Sequence, residues 1–216
     1  MSTWGKWGLA LGLLGVAVGG ARSQVSEKIV AGEGAVQLML LRQHSVQDEL
    51  KLSKDQTQKV DEFAAKQWKA AHEAHHHPDA DKGKARFEEL GRENKTFVSG
   101  LLKADQQQRL DQISMQVAGV LWALDPKVSA DIQLTADQKE KLKVLHKQAH
   151  KEVETVLHDG NKETRHARLE DLGKTHGKQL LEVLTPDQKT KWEAMAGPKF
   201  NGKLHFEEYA HPGKDK

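Results

Sequence analysis

A nine-residue phrase, "LTADQKEKL" from Leu134, returns as "LTPDQKTKW" from Leu184. Two looser copies, "LSKDQTQKV" from Leu52 and "LKADQQQRL" from Leu102, share its pattern of Leu-x-x-Asp-Gln-x-x-(Lys/Arg)-apolar. The four copies start at 52, 102, 134 and 184, so they repeat as two pairs with an offset of 82 residues. The offset holds without a gap between motifs: "ARFEELGRENKTFVSGLLKADQQQRL" from Ala85 lies on "ARLEDLGKTHGKQLLEVLTPDQKTKW" from Ala167. A chain built this way contains two similar halves.

The phrase has a local physical meaning. The hydroxyl of Thr135 or Thr185 is placed to accept from the backbone N–H three residues on. Gln138 or Gln188 stands at that third position and reaches back, which makes a capping box. Pro186 suits the first helical position, and Asp137 or Asp187 complements the positive end of the helix dipole. Leu52, Ser53 and Gln56 repeat the device. In the copy of Leu102 and Gln106, Lys103 replaces the hydroxyl, so that helix is expected to run on from its predecessor or to be poorly capped.

Each motif pair brackets two helical stretches. Val60, Phe63, Gln67, Ala71 and Ala74 recur at helical spacing, "HPDADKG" turns the chain, and Phe87, Leu90, Asn94, Val98 and Leu101 mark a second helix. Leu142, Leu145, Ala149, Val153 and Val156, the turn "HDGN", and Leu169, Leu172, His176, Leu180 and Val183 repeat the scheme. The expected fold class is all-α, with two tandem αα-hairpins whose helices are ~30 Å long, plus connecting helices. Val36 to Leu50, Leu110 to Leu124 and Lys127 to Ile132 read as those connectors. With 37% hydrophobic and 5% aromatic residues, one apolar stripe per helix is affordable but a thick core is not.

The first residues read as a secretory leader: Lys6, an apolar run from Trp7 to Val18, then Gly19, Gly20, Ala21 and Ser23. Cleavage after Ala21 or Ser23 fits the small-residue rule, and the run is too short to stay as a membrane span. The organisation is therefore leader 1–23, first helical half 24–124, second half 125–197 and a loose tail 198–216, in a protein working in the periplasm or otherwise exported. The formal charge is only +2, with both signs interspersed, so there is no electrostatic case for nucleic acid. Cysteine is absent, which removes disulfides and thiolate chemistry.

At Leu134-Thr135-x-x-Gln138 and Leu184-Thr185-x-x-Gln188, with "LSKDQ" as a near copy, the chain resembles the LTxxQ-motif proteins of the Spy/CpxP family. The resemblance implies an all-helical periplasmic protein of long hairpins, often a curved antiparallel dimer. It implies an ATP-independent chaperone or envelope-stress adaptor whose partners are unfolded or envelope proteins; other members respond to metals. This chain departs from the pattern in carrying four motifs, so that either a homodimer or one chain supplies both halves of a cradle. It also lacks the concentrated positive charge of a basic cradle. On this reading Trp68, Phe97, Met115 and Trp122 are candidates for client binding, with core packing as their other role.

Twelve histidines open a second reading, a metal buffer or sensor for zinc, copper or nickel with no cofactor strictly required. His146 and His150 are spaced to chelate from one helix face. Antiparallel pairing about Gly160 sets position 146 opposite position 175, which brings His176 near and leaves Asp171 as a further ligand. The same histidines better suit the border of the apolar stripe, with His176 partly buried and hydrogen-bonded. A second group, His72, His75, His76 and His77, stands at the end of the first hairpin helix, where imidazolium also suits the negative helix end. His158 and His166 stand at the other tip.

Nothing in the pattern reads as an enzyme. Ser45, Ser53, Ser99, Ser114 and Ser129 lack a nucleophile-elbow context, and "GEGAVQ" lacks the glycines of a phosphate loop. Glu88-Glu89 and Glu170-Asp171 sit beside Lys and Arg at helical spacing, as solvated salt-bridging faces do. A purely structural envelope protein is the third reading.

Overall fold

Three of the four motif copies start helices with full capping boxes. In a computed structural model, which describes residues 22–158 and 162–205, Ser53 Oγ accepts from Gln56 N–H at 3.2 Å while Ser53 N–H donates to Gln56 Oε1 at 3.0 Å. Thr135 with Gln138 and Thr185 with Gln188 do the same. The helices that follow are α3 (Lys54–His75), α8 (Ala136–His158) and α10 (Pro186–Ala196). At the fourth copy, of the two expected outcomes, the poorly capped one is found: α4 (Ala80–Leu101) stops, and α5 (Ala104–Val117) starts anew. Half of the box survives there, because Gln106 Oε1 still accepts from Lys103 N–H at 3.0 Å without needing a hydroxyl.

The remaining helices are α1 (Arg22–Leu41), α2 (His44–Glu49), α6 (Gly119–Ala123), α7 (Pro126–Asp131) and α9 (Lys162–Val183). The fold is all-α, and no strand occurs among the described residues. Two expected connectors are each broken in two. The stretch from Val36 to Leu50 divides at Arg42-Gln43, and the stretch from Leu110 to Leu124 divides at Ala118, whose φ of −124° and ψ of 43° leave the helical region. The short α7 begins on Pro126, with the Asp125 carboxylate accepting from Val128 N–H at 2.8 Å.

The 82-residue offset governs the element boundaries more widely than the motif similarity does. The limits of α2 shifted by that offset are those of α7, and the limits of α4 are those of α9. The starts of α3 and α5 fall on those of α8 and α10, and α1 falls on α5 plus α6. Even the rare backbone geometry repeats. Lys51 and Gln133, the residues before the motif leucines, are the non-glycine residues with positive φ among the described residues, at 51° and 58°. Each closes a Schellman turn: Leu52 N–H donates to the Gln47 carbonyl at 3.0 Å and Leu134 N–H to the Ser129 carbonyl at 2.9 Å. A left-handed residue thus ends the short helix, and two residues later a hydroxyl starts the long one.

The described chain divides into two compact units, Ser23–Leu110 with residues 201–205, and Asp111–Phe200 with Arg22. The division falls inside α5, between Leu110 and Asp111. In the first unit α3 packs on α4, and in the second α8 packs on α9. The first hairpin buries Val60, Ala64, Gln67 and Ala74 from α3 against Leu90, Asn94 and Val98 from α4. The second buries Leu142, Leu145, Ala149, Val153 and Val156 with Leu169, His176 and Leu180. Small residues let backbones approach. A Cβ on Gly34 would strike the carbonyl of Gly91, and one on Gly91 would strike the Ala31 carbonyl, so α1 and α4 cross in direct backbone contact.

Residues 198–205 of the expected loose tail are held by side-chain hydrogen bonds. Gln116 Nε2 donates to the carbonyls of Ala196 and Pro198, its Oε1 accepts from Phe200 N–H at 2.8 Å, and Phe200 is buried. Further on, Leu204 is buried, Gln43 exchanges two hydrogen bonds with the His205 backbone, and Ser45 Oγ donates to the Lys203 carbonyl. Non-periodic chain is thus fixed by side-chain amides that satisfy its backbone groups. Residues 206–216 of the expected tail, and residues 1–21 of the expected leader, lie outside the described residues. No helix among the described residues is long and apolar enough to cross a membrane.

Candidate functional site

The motif glutamines do more than cap. Gln56 and Gln106 lie side by side at the open end of the first hairpin, with Gln56 Nε2 donating to Gln106 Oε1 at 2.8 Å and Gln106 Nε2 returning a bond to Gln56 Oε1 at 3.3 Å. Each remaining N–H goes to a backbone carbonyl, of Leu101 for Gln56 and of Leu50 for Gln106. Each Oε1 also holds its own cap N–H. The second unit repeats the arrangement: Gln138 and Gln188 donate to each other at 2.7 and 3.0 Å, and to the carbonyls of Val183 and Gln133. Every donor and acceptor of these four amides is used, as burial of Gln56, Gln106 and Gln188 requires; Gln138 is half-buried. The motif is therefore a two-part latch joining the entrance and exit of a hairpin. Leu134 and Leu184 are buried beside it, while Leu52 and Leu102 are half-buried.

The first hairpin carries an open groove of about 490 Å³, lined by Phe63, Lys66, Glu89, Arg92, Glu93, Thr96 and Phe97. The Phe63 and Phe97 rings stack at 3.9 Å between centroids, 5° from parallel, and both are half-buried. Matching positions in the second hairpin hold Leu145 and Gln179, so the aromatic pair is confined to the first. Glu93 is held from two sides, by Gln67 Nε2 and by Arg86, both at 2.8 Å. These bonds, Gln67's first, keep its carboxyl below the usual carboxylate range. Arg86 also reaches Glu89 at 2.7 Å, and its pKa is raised by the two carboxylates, Glu93 foremost.

Of the proposed client-binding residues, Phe97 lines this groove and Trp68 is half-buried. Met115 and Trp122 are 5% and 4% exposed, which fits the core role that the sequence also allowed them. For Trp122 helical spacing gives no guide, because α6 buries Val120, Leu121, Trp122 and Ala123 in succession, leaving no polar face to mark a stripe.

The histidine triad does not assemble. His176 is 2% exposed, and its Nε2 meets Glu152 Oε2 at 2.9 Å, while Nδ1 finds no partner among the described residues. Helical side chains lean toward their own N-terminus. In an antiparallel hairpin that lean carries His176 toward the turn, to Glu152, and away from His146. His146 is half-buried and stays close enough to His150 to feel its charge. Its pKa is pushed down to about 4, first by desolvation and then by His150. Asp171 is exposed beside Lys174.

At the first hairpin tip the exposed rings of His72 and His76 lie 4.5 Å apart, and those of His75 and His76 5.0 Å apart. His77 is spent on the Asp79 backbone. Among the described residues no group of three His, Asp or Glu side chains is arranged to hold a metal ion. The side chains of His158 and His166 lie outside the described ones. Comparison with known protein families, curated proteins and solved structures found no match.

Proposed function

We propose that this chain is an exported helical binding protein of the Spy/CpxP kind, an ATP-independent chaperone or envelope-stress adaptor that holds non-native proteins on the Phe63–Phe97 groove. The observation that carries the reading is the stacked, half-exposed phenyl pair on a hairpin with a charged rim. The groove sets two half-buried phenyl rings in direct stacking on an open face, where a client's apolar side chain can reach both. Such a surface binds weakly and without sequence reading, by removing part of an aromatic or aliphatic side chain from water. The latched, capped hairpin supplies a fixed platform, which limits the ordering cost on the protein's side. The test is dilution of a denatured client into buffer with the protein at equimolar ratio, followed by light scattering. Suppression of aggregation that is lost in Phe63→Ser/Phe97→Ser supports the reading. No suppression, or unchanged suppression in that variant, overturns it.

A second reading, loose binding of zinc, copper or nickel, draws on the clustered imidazoles of His72, His75 and His76. Calorimetry with each metal tests it, against a variant with all three changed to alanine. Binding that disappears in the variant supports the site, and unchanged binding removes it.

A further inference from the structure

We infer that the groove on the first hairpin prefers segments in which a bulky apolar side chain is flanked by carboxylates; this rests on the groove reading above and adds the chemistry of the partner. The argument is a charge account of the rim. Its two acids are already engaged: Arg86 bridges Glu89 and Glu93, and Gln67 donates to Glu93. Its two cations, Lys66 and Arg92, have no ion-pair partner among the described residues, and they stand on α3 and α4 respectively, one from each wall.

Counting Arg86, Lys66 and Arg92 against Glu89 and Glu93, a segment lying across the stacked phenyls meets a net positive rim. Both carboxylates already hold bonds from Arg86 or Gln67, Lys66 also lies within the field of Glu93, and Arg92 has no salt-bridge partner among the described residues. A carboxylate before or after the docked apolar residue gains a partner. A lysine or arginine there meets like charge, and the carboxylates it would seek are occupied. The positive charge belongs to the rim and not to the chain as a whole, whose net charge is only +2. Each pair is exposed and modest, so the combined preference is about fivefold and screened by salt.

Fluorescence anisotropy with the full chain tests this, using short labelled peptides that contain two phenylalanines flanked by aspartates, the same peptide flanked by lysines, and an aspartate peptide with serines for the phenylalanines. The acidic aromatic peptide binds about fivefold tighter than its basic twin, and the gap closes at high salt. The serine peptide binds least. In Lys66→Glu/Arg92→Glu, surface changes that leave the hairpin core alone, the preference reverses. In Phe63→Ser/Phe97→Ser both aromatic peptides are lost. Equal affinity for the acidic and basic peptides, with both lost in the serine variant, overturns the inference while the groove reading stands. Undiminished binding in the serine variant, or no binding of either aromatic peptide to the wild type, overturns both.

Discussion

Gln138 and Gln188 stand fifty residues apart in the chain and donate to each other's side-chain carbonyls, at 2.7 and 3.0 Å. The spacing of the repeated phrase is thus the length of chain needed to leave a latch, travel out and back along a hairpin, and return to it. Gln56 and Gln106 close the first hairpin over the same separation.

Truncating either member of a latch strands the other. Gln138→Ala removes a cap bond, leaves Gln188 Oε1 and Nε2 one partner short each, and frees the Val183 carbonyl. The expected loss is about 2–3 kcal/mol in urea unfolding, within the range for unmade buried hydrogen bonds. Gln188→Ala costs a similar amount, and the double variant costs less than the sum. Additive losses contradict a shared latch.

Position 103 offers a gain. The half-box there lacks only a hydroxyl, because Gln106 already reaches back to the Lys103 amide. Lys103→Thr completes the box and is expected to stabilise the first unit by about 0.5–1 kcal/mol, read as a higher denaturation midpoint. No change, or a loss, would mean that the backbone at residue 103 does not present the cap geometry seen at Ser53.

His146 sets a pH dependence. Its native pKa of about 4 lies below the model-peptide value of 6.5, so between those limits the unfolded chain takes up a proton that the native state refuses. Stability from this residue is complete above pH ~6.5, falls as pH drops toward ~4, and then levels. Partial exposure discounts the effect to about 1–2 kcal/mol. His146→Gln is expected to flatten that part of the stability curve. A variant that falls as steeply as the wild type between these pH values excludes His146 as the source.

What the sequence shows and what it hides divide along physical range. Caps at Ser53, Thr135 and Thr185 are legible because donor and acceptor lie three residues apart. Hairpin helices are legible because their apolar stripes repeat. The pairing of the glutamines is hidden, because the same residues already satisfy a local rule and give no sign of a second partner. The partner of His176 is missed because residue counting about the turn ignores the lean of helical side chains, which leads it to Glu152. Met115 and Trp122 take the core role that the sequence offered beside client binding. The docking of residues 198–205 is hidden because irregular chain held by Gln116, Gln43 and Ser45 has no period to read.

The most direct measurement is site-specific photocross-linking to a denatured client. A photoreactive residue replaces Thr96 on the groove rim or, as the matching position of the second hairpin, Lys178; both are exposed. The account predicts a client adduct from position 96, abolished by Phe63→Ser/Phe97→Ser, and little from position 178. Equal adducts from both positions, or none from position 96 while the protein still suppresses aggregation, would contradict it.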